Sequence, residues 1–215
     1  MDIFEESHSL NRYIESHSKP EDAVLEELHR YTYLNVAAPN MLSGPVQGKY
    51  LELISRLLNP ARIVEIGTYT GYSAICMARG LKDNGKLITF DVNDELNDIS
   101  SRFFKKAGLG HKIERINGDA RKLIPALPDT FDLAFIDGEK EEYIDYYKVI
   151  MEKLRPGGII IADNVLWYGK VLDPDNNKDS ATRGIEAFNT YVTNDPSVEN
   201  FLLPLRDGLM MVRKK

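Results

Sequence analysis

From residue 61 onward, short and dense apolar runs alternate with stretches of helical spacing, and no other feature constrains the fold as tightly. The runs are Ile63-Val64-Glu65-Ile66, Leu87-Ile88-Thr89-Phe90, Ile113 to Ile116, Leu133-Ala134-Phe135-Ile136 and Ile159-Ile160-Ile161-Ala162. Runs this continuous suit strands covered on both faces, and the lengths between them suit crossover helices. The pattern therefore predicts an α/β fold with a doubly wound, mostly parallel sheet. Val198 to Leu203 and Gly208 to Val212, around Arg206-Asp207-Gly208, read as a C-terminal antiparallel hairpin that brings the sheet to seven strands. Residues 1–58 read as an N-terminal helical cap. Pro20 stands at a helix start, and Val24, Leu25, Leu28 and Tyr31 follow at helical spacing. A loop through Ala37-Ala38-Pro39-Asn40 and Ser43-Gly44-Pro45 precedes a second helical pattern from Tyr50 to Leu58. The 215 residues fit one domain, 1–215, with 59–215 as its core.

Composition narrows the class. A formal net charge of −6 lowers the expectation of non-specific nucleic-acid binding. No apolar run reaches the roughly 20 residues of a membrane span. The acidic start, Met1 to Glu6, does not read as a secretory signal. The single cysteine, Cys76, forms no internal disulfide, and the four histidines show no metal-ligand spacing. A cytoplasmic protein is the expectation.

Carboxylates fall at the carboxyl end of every parallel run: Glu65, Asp91, Asp119, Asp137 and Asp163. Ligands of open parallel sheets bind at that edge. Each acid alone reads equally well as a helix cap. Five together, repelling one another, read as a site for a cationic ligand. The first loop, Glu65-Ile66-Gly67-Thr68-Tyr69-Thr70-Gly71-Tyr72-Ser73, places tyrosines where a dinucleotide fingerprint needs glycines, and no P-loop lysine ends it. A nicotinamide oxidoreductase is therefore disfavoured. What remains is a tight glycine turn beneath a ligand without pyrophosphate, with Asp91 placed for a ribose and Asp119 for an adenine edge.

Val64-Glu65-Ile66-Gly67…Gly71-Tyr72-Ser73, Asn117-Gly118-Asp119-Ala120, Phe135-Ile136-Asp137-Gly138-Glu139-Lys140, Leu154-Arg155-Pro156-Gly157-Gly158 and Ala162-Asp163-Asn164-Val165-Leu166-Trp167 occur in that order. This series resembles the class I S-adenosylmethionine-dependent O-methyltransferases, and within them the cation-dependent caffeoyl-CoA and catechol O-methyltransferase-like branch. The likeness runs from about residue 35 to Asp207-Gly208-Leu209-Met210. It implies a Rossmann-like methyltransferase fold. It also implies cofactor contacts at Met41, Ser43, Glu65, Gly67, Tyr69, Ser73, Asp91, Asp119, Ala120 and Asp137. One departure is Asn93-Asp94, where the family commonly has Asp-Pro beyond the ribose acid.

Asp137, Asp163 and Asn164 offer three hard oxygen donors, a set that suits Mg²⁺, with Mn²⁺ or Ca²⁺ as alternatives, and disfavours zinc. The same residues also read as two turns, and the family order selects the metal site. Catalysis falls to Asp137 and Lys140, the latter aligning with the family's general base. A dication beside Lys140 is expected to lower its pKa. Trp167 and Tyr168 either wall an aromatic acceptor or pack the strand end. The stretch from Trp167 to Ser180 reads as a substrate loop, and Lys170 and Arg183 as weak candidates for an anionic acceptor. The expected reaction is methyl transfer to a small catechol-like or phenolic hydroxyl, by a homodimer of the kind the family forms. Two alternatives stand beside it. One is the same chemistry on a hydroxylated uridine of tRNA, with Lys105, Lys106, Arg115, Arg121 and Lys122 as a basic face. The other is a non-catalytic S-adenosylmethionine-binding module.

Overall fold

The five apolar runs become neighbouring parallel strands in a computed structural model, which describes residues 8–174 and 178–215. They are β1 (Arg62–Ile66), β2 (Lys86–Asp91), β3 (Ile113–Asn117), β4 (Phe131–Ile136) and β5 (Leu154–Ala162). β6 (Val198–Leu203) and β7 (Leu209–Lys214) form the expected hairpin, and the sheet order is β3-β2-β1-β4-β5-β7-β6. Only β7 runs antiparallel to its neighbours, pairing Ala162 with Met210 on one side and Leu203 with Leu209 on the other. β5 begins at Leu154, earlier than its apolar run, because the ladder with β4 opens at Phe131–Leu154.

Alternating residues of the strands feed two apolar layers. Val64, Ile66, Ile88, Phe90, Ala134 and Ile136 pack beneath α7 (Tyr143–Lys153) and α8 (Ser180–Thr193). Ile63, Leu87, Leu133 and Phe135 pack beneath α2 (Ala23–Asn35), α3 (Gly44–Leu58), α4 (Tyr72–Ala78) and α5 (Asn97–Lys106). Near-complete burial on both faces is why β1, β2 and β4 read as unbroken apolar runs, whereas the edge strand β3 is only partly buried. Between α5 and α7 lies the short α6 (Ala120–Leu123), and α1 (His8–Ser16) precedes α2.

The N-terminal helices differ in detail from the sequence pattern. α2 begins after Pro20, with Asp22 as N-cap accepting from the N–H groups of Val24 and Leu25. α3 starts at Gly44, inside the expected loop. Pro45 sits in its first turn, where a missing N–H costs nothing. A 3₁₀ turn at Pro39–Met41 joins α2 to α3.

Candidate active site

The strand order reverses between β1 and β4, and the predicted residues gather at that switch point. The ladder continues one step past each strand end: Asp137 N–H donates to Ile66 O at 2.8 Å, and Asp163 N–H donates to Ile136 O at 2.9 Å. Gly67 has a φ of +97°, and a Cβ there would lie 2.0 Å from the Asp137 carbonyl oxygen. Only glycine lets β1 turn away so close to β4. Met41, Gly67, Tyr69, Asp91, Asp119, Ala120, Asp137, Lys140, Asp163 and Asn164 all line one cleft of about 980 Å³. Ser43, Glu65 and Ser73 are buried and do not line it.

At the centre, the Lys140 ammonium donates to Asp137 Oδ1 at 3.0 Å, Asn164 Oδ1 at 2.9 Å and the Tyr143 hydroxyl at 2.7 Å. Burial works against that charge, but Tyr143 and Asp137 outweigh it and hold Lys140 above the ordinary lysine range. The lowered pKa expected from the sequence presupposes a dication, and here the ammonium is itself the cation among the donors. The Tyr143 hydroxyl in turn donates a hydrogen bond to the Asp163 backbone carbonyl at 2.9 Å. Asp163 is buried. Burial and the nearby Asp137 charge push its carboxyl upward, opposed by Gln47 Nε2, which donates to Oδ2 at 2.5 Å. Among the described residues no three His, Cys, Asp or Glu side chains converge as a metal centre. The convergent donors are two carboxylates and an amide. They fit a hard cation, since one positive nitrogen already lies within 3.0 Å of oxygens from two of them.

The other strand-end acids have separate surroundings. Glu65 is fully buried. Its Oε1 accepts from Ser73 Oγ at 2.5 Å, and its Oε2 has no hydrogen-bond partner. Burial, reinforced by Asp137 and Asp91, raises its pKa to about 8. Asp91 accepts from Tyr69 N–H at 2.8 Å and Asn93 N–H at 2.9 Å, so it shapes the two loops that flank it. Asp119 caps α6, as weighed for each acid alone, and binds Arg121 through Nε and Nη2, both at 2.9 Å, while also lining the cleft.

Several side chains had no sequence signal. Arg115 on β3 is nearly buried. It donates to Tyr69 O at 3.2 Å, Ser100 Oγ at 2.8 Å and Asn93 O at 2.6 Å, tying together the loops after β1 and β2. It is therefore no part of a basic surface. Arg121 is paired with Asp119 and Glu142, Lys106 with Glu27, and Lys122 lies 3.7 Å from Asp119. Gln47 and Tyr143 carry no signal in the sequence, and Arg206 reads only as part of the hairpin turn. Trp167 packs against the core, one of the two readings weighed for it, and also lines the cleft beside Tyr168. Lys170 pairs with Asp179, and Arg183 is exposed outside the cleft. Trp167–Leu172 forms 3₁₀ turns, while residues 175–177 of the expected substrate loop lie outside the described residues, as do Met1 to Glu6.

The sheet is thus doubly wound, and an acidic cleft opens at its switch point, where ligands of such sheets bind. A family model described as O-methyltransferase matches residues 15–215. Caffeoyl-CoA O-methyltransferase 5 of Nicotiana tabacum is 34% identical over 81% of this chain and 77% of its own length. An SAH-bound methyltransferase of Podospora anserina superposes with a TM-score of 0.88 at 29% identity, covering 96% of this chain and 94% of that one. An O-methyltransferase of Bacillus cereus in complex with SAH gives 0.87 at 30% identity, over 96% and 97%. The chain belongs to the O-methyltransferase family and is an S-adenosylmethionine-dependent enzyme.

Proposed function

We propose that the chain methylates a hydroxyl of a small catechol-like acceptor in a reaction that depends on a divalent cation. The observation that carries this reading is the Lys140 ammonium held between Asp137 Oδ1 and Asn164 Oδ1, with Asp163 alongside. Asp137, Asp163 and Asn164 would hold the cation, Mg²⁺ by their hardness. Bound there, a dication supplies Lewis acidity that favours the ionised form of a phenol whose pKa lies near 10.

The chain's own residues then have distinct tasks. With a dication in the donor set the Lys140 ammonium would be disfavoured and would give its proton to solvent, and the neutral Nζ would then accept the acceptor's hydroxyl proton. Tyr143 keeps that nitrogen within reach, since it is the one partner of Lys140 outside the donor set. Asp91 binds the cofactor's ribose, Gly67 and Ala120 let backbone approach it, and Met41 and Ser43 flank its methionine end. Tyr69 and Trp167, which both line the cleft, help to shield the reacting atoms from water. Catalysis in this arrangement is chiefly alignment of the methyl donor with the oxygen. The N-terminal helices act as the cap of one methyltransferase unit, working as a homodimer.

The test is transfer from labelled S-adenosylmethionine to 3,4-dihydroxybenzoate with Mg²⁺ and with EDTA. Product formed only with metal supports the reading. Product formed equally in EDTA removes the metal. Cofactor binding without transfer to any catechol moves the acceptor to another class. For tRNA, a salt series would show a steep loss of affinity if phosphates are bound; Arg115 is buried and Arg121 paired, while Lys105 and Lys122 stay exposed.

A further inference from the structure

The turn between β6 and β7 reaches two adjacent donors of the proposed cation site through separate hydrogen-bond chains. In the first, Asn164 Nδ2 donates to Asp207 Oδ2 at 3.3 Å, while Asn164 Oδ1 faces Lys140 Nζ at 2.9 Å. In the second, Arg206 Nη1 donates to Gln47 Oε1 at 3.3 Å, and Gln47 Nε2 donates to Asp163 Oδ2 at 2.5 Å. Asp207 Oδ1 also accepts from Tyr168 N–H at 2.6 Å.

An amide has two nearly isosteric ends, an acceptor oxygen and a donor NH₂, and only the oxygen binds a cation. A carboxylate has no proton to give. Asp207 therefore engages the NH₂ of Asn164 and leaves its oxygen facing Lys140. Arg206 has only donors, so it takes the Gln47 oxygen and turns the Gln47 NH₂ onto Asp163. Each Asp163 oxygen then carries one N–H donor, from Gln47 and from Asn164 N–H at 2.7 Å, and retains lone-pair capacity for a cation. One residue of each chain has a costly backbone: Asn164 has a φ of +57° and Arg206 a φ of +51°, left-handed conformations that persist where neighbouring bonds over-determine them. Arg206 Nη1 supplies such bonds by also donating to the Leu42 and Ser43 carbonyls.

We infer that Asp207 is a positioning residue that fixes the Asn164 amide oxygen on the cation side, and that Arg206, acting through Gln47, orients Asp163. This rests on the metal reading above. Outer partners of metal ligands are commonly worth about 10–100-fold in metal affinity.

The test is Mn²⁺ titration of the full chain, without cofactor or acceptor, following the free ion by electron paramagnetic resonance. Asp207→Asn keeps an oxygen for Tyr168 N–H but presents NH₂ to the NH₂ of Asn164. Its Mn²⁺ affinity is expected to fall about tenfold or more. The fluorescence of the single tryptophan, Trp167, reports the Tyr168 turn and should stay at the wild-type value. The double variant Asn164→Asp, Asp207→Asn reverses donor and acceptor and adds a carboxylate to the donor set, and should bind Mn²⁺ at least as tightly as wild type. Gln47→Met is expected to weaken Mn²⁺ binding while Trp167 emission holds. Wild-type affinity in Asp207→Asn, or no recovery in the double variant, overturns the inference. A wild-type chain that binds no Mn²⁺ overturns the metal reading itself, and this inference with it.

Discussion

Glu65→Gln is the most informative single change, because its effect should reverse sign with pH. A carboxyl that titrates at about 8 when folded, against 4.5 in the free side chain, holds its proton more tightly in the native state. Folding stability from this group is therefore complete below pH 4.5 and lost as the pH climbs through 8. At about 1.4 kcal/mol per pKa unit, the loss reaches about 3 kcal/mol at pH 7 and about 4–5 kcal/mol above pH 8. Full burial of Glu65 means that solvent screening takes little from these figures. Glutamine has nearly the same shape and does not titrate. Its oxygen can accept from Ser73, but its NH₂ would occupy the site of Oε2, which has no partner, at a cost of about 1–3 kcal/mol. The two stability curves should then cross. At pH 5, where wild type has already lost about 1 kcal/mol, the variant is less stable by up to about 2 kcal/mol, and at pH 8.5 it is more stable by about 2–4 kcal/mol. Urea unfolding of the cofactor-free chain at half-unit steps from pH 5 to 8.5 measures this, and the wild-type-minus-variant difference cancels the other titrating groups. A difference that stays constant with pH would refute the reasoning.

Three further changes test other parts of the site. Gly67→Ala puts a methyl 2.0 Å from the Asp137 carbonyl oxygen at a positive φ, and should lower stability by about 3 kcal/mol or more while abolishing cofactor binding; wild-type thermal unfolding would contradict that contact. Arg115→Met leaves the Tyr69 and Asn93 carbonyls without their donor, so about 2–3 kcal/mol of stability and roughly tenfold in S-adenosylmethionine affinity should go. Calorimetry that finds the affinity untouched would show that the two loops hold without it. Lys140→Met removes the ammonium that occupies the donors, so Mn²⁺ should bind more tightly in the absence of acceptor while turnover falls at least about 100-fold. Weaker Mn²⁺ binding in that variant would exclude competition between the two cations.

The parallel sheet and its reversal were legible because burial on both faces forces near-continuous apolar runs, and the hairpin because it closes on a glycine turn. Helix starts were less so. Pro45 reads as a loop residue until α3 is seen to use it in its first turn, and Asp22, the cap that begins α2, lies just past the more conspicuous Pro20.

At the site, the sequence displays the acids and conceals what makes five of them tolerable at one edge. Each has its own answer to the repulsion. Arg115 lies 3.8 Å from Asp91, Arg121 is 2.9 Å from Asp119 and Lys140 is 3.0 Å from Asp137. Gln47 donates to Asp163, and Glu65, with no cation against it, is driven toward its neutral form. A sequence motif records positions that lie close along the chain, and only Arg121 and Lys140 do so, at two and three residues from their acids. Gln47 stands 116 residues from Asp163, and Arg206 reaches that acid only through Gln47. Charge at a strand end can therefore be read in order along one chain, whereas the partners that set its protonation and aim come from helices and turns that only the folded sheet brings near.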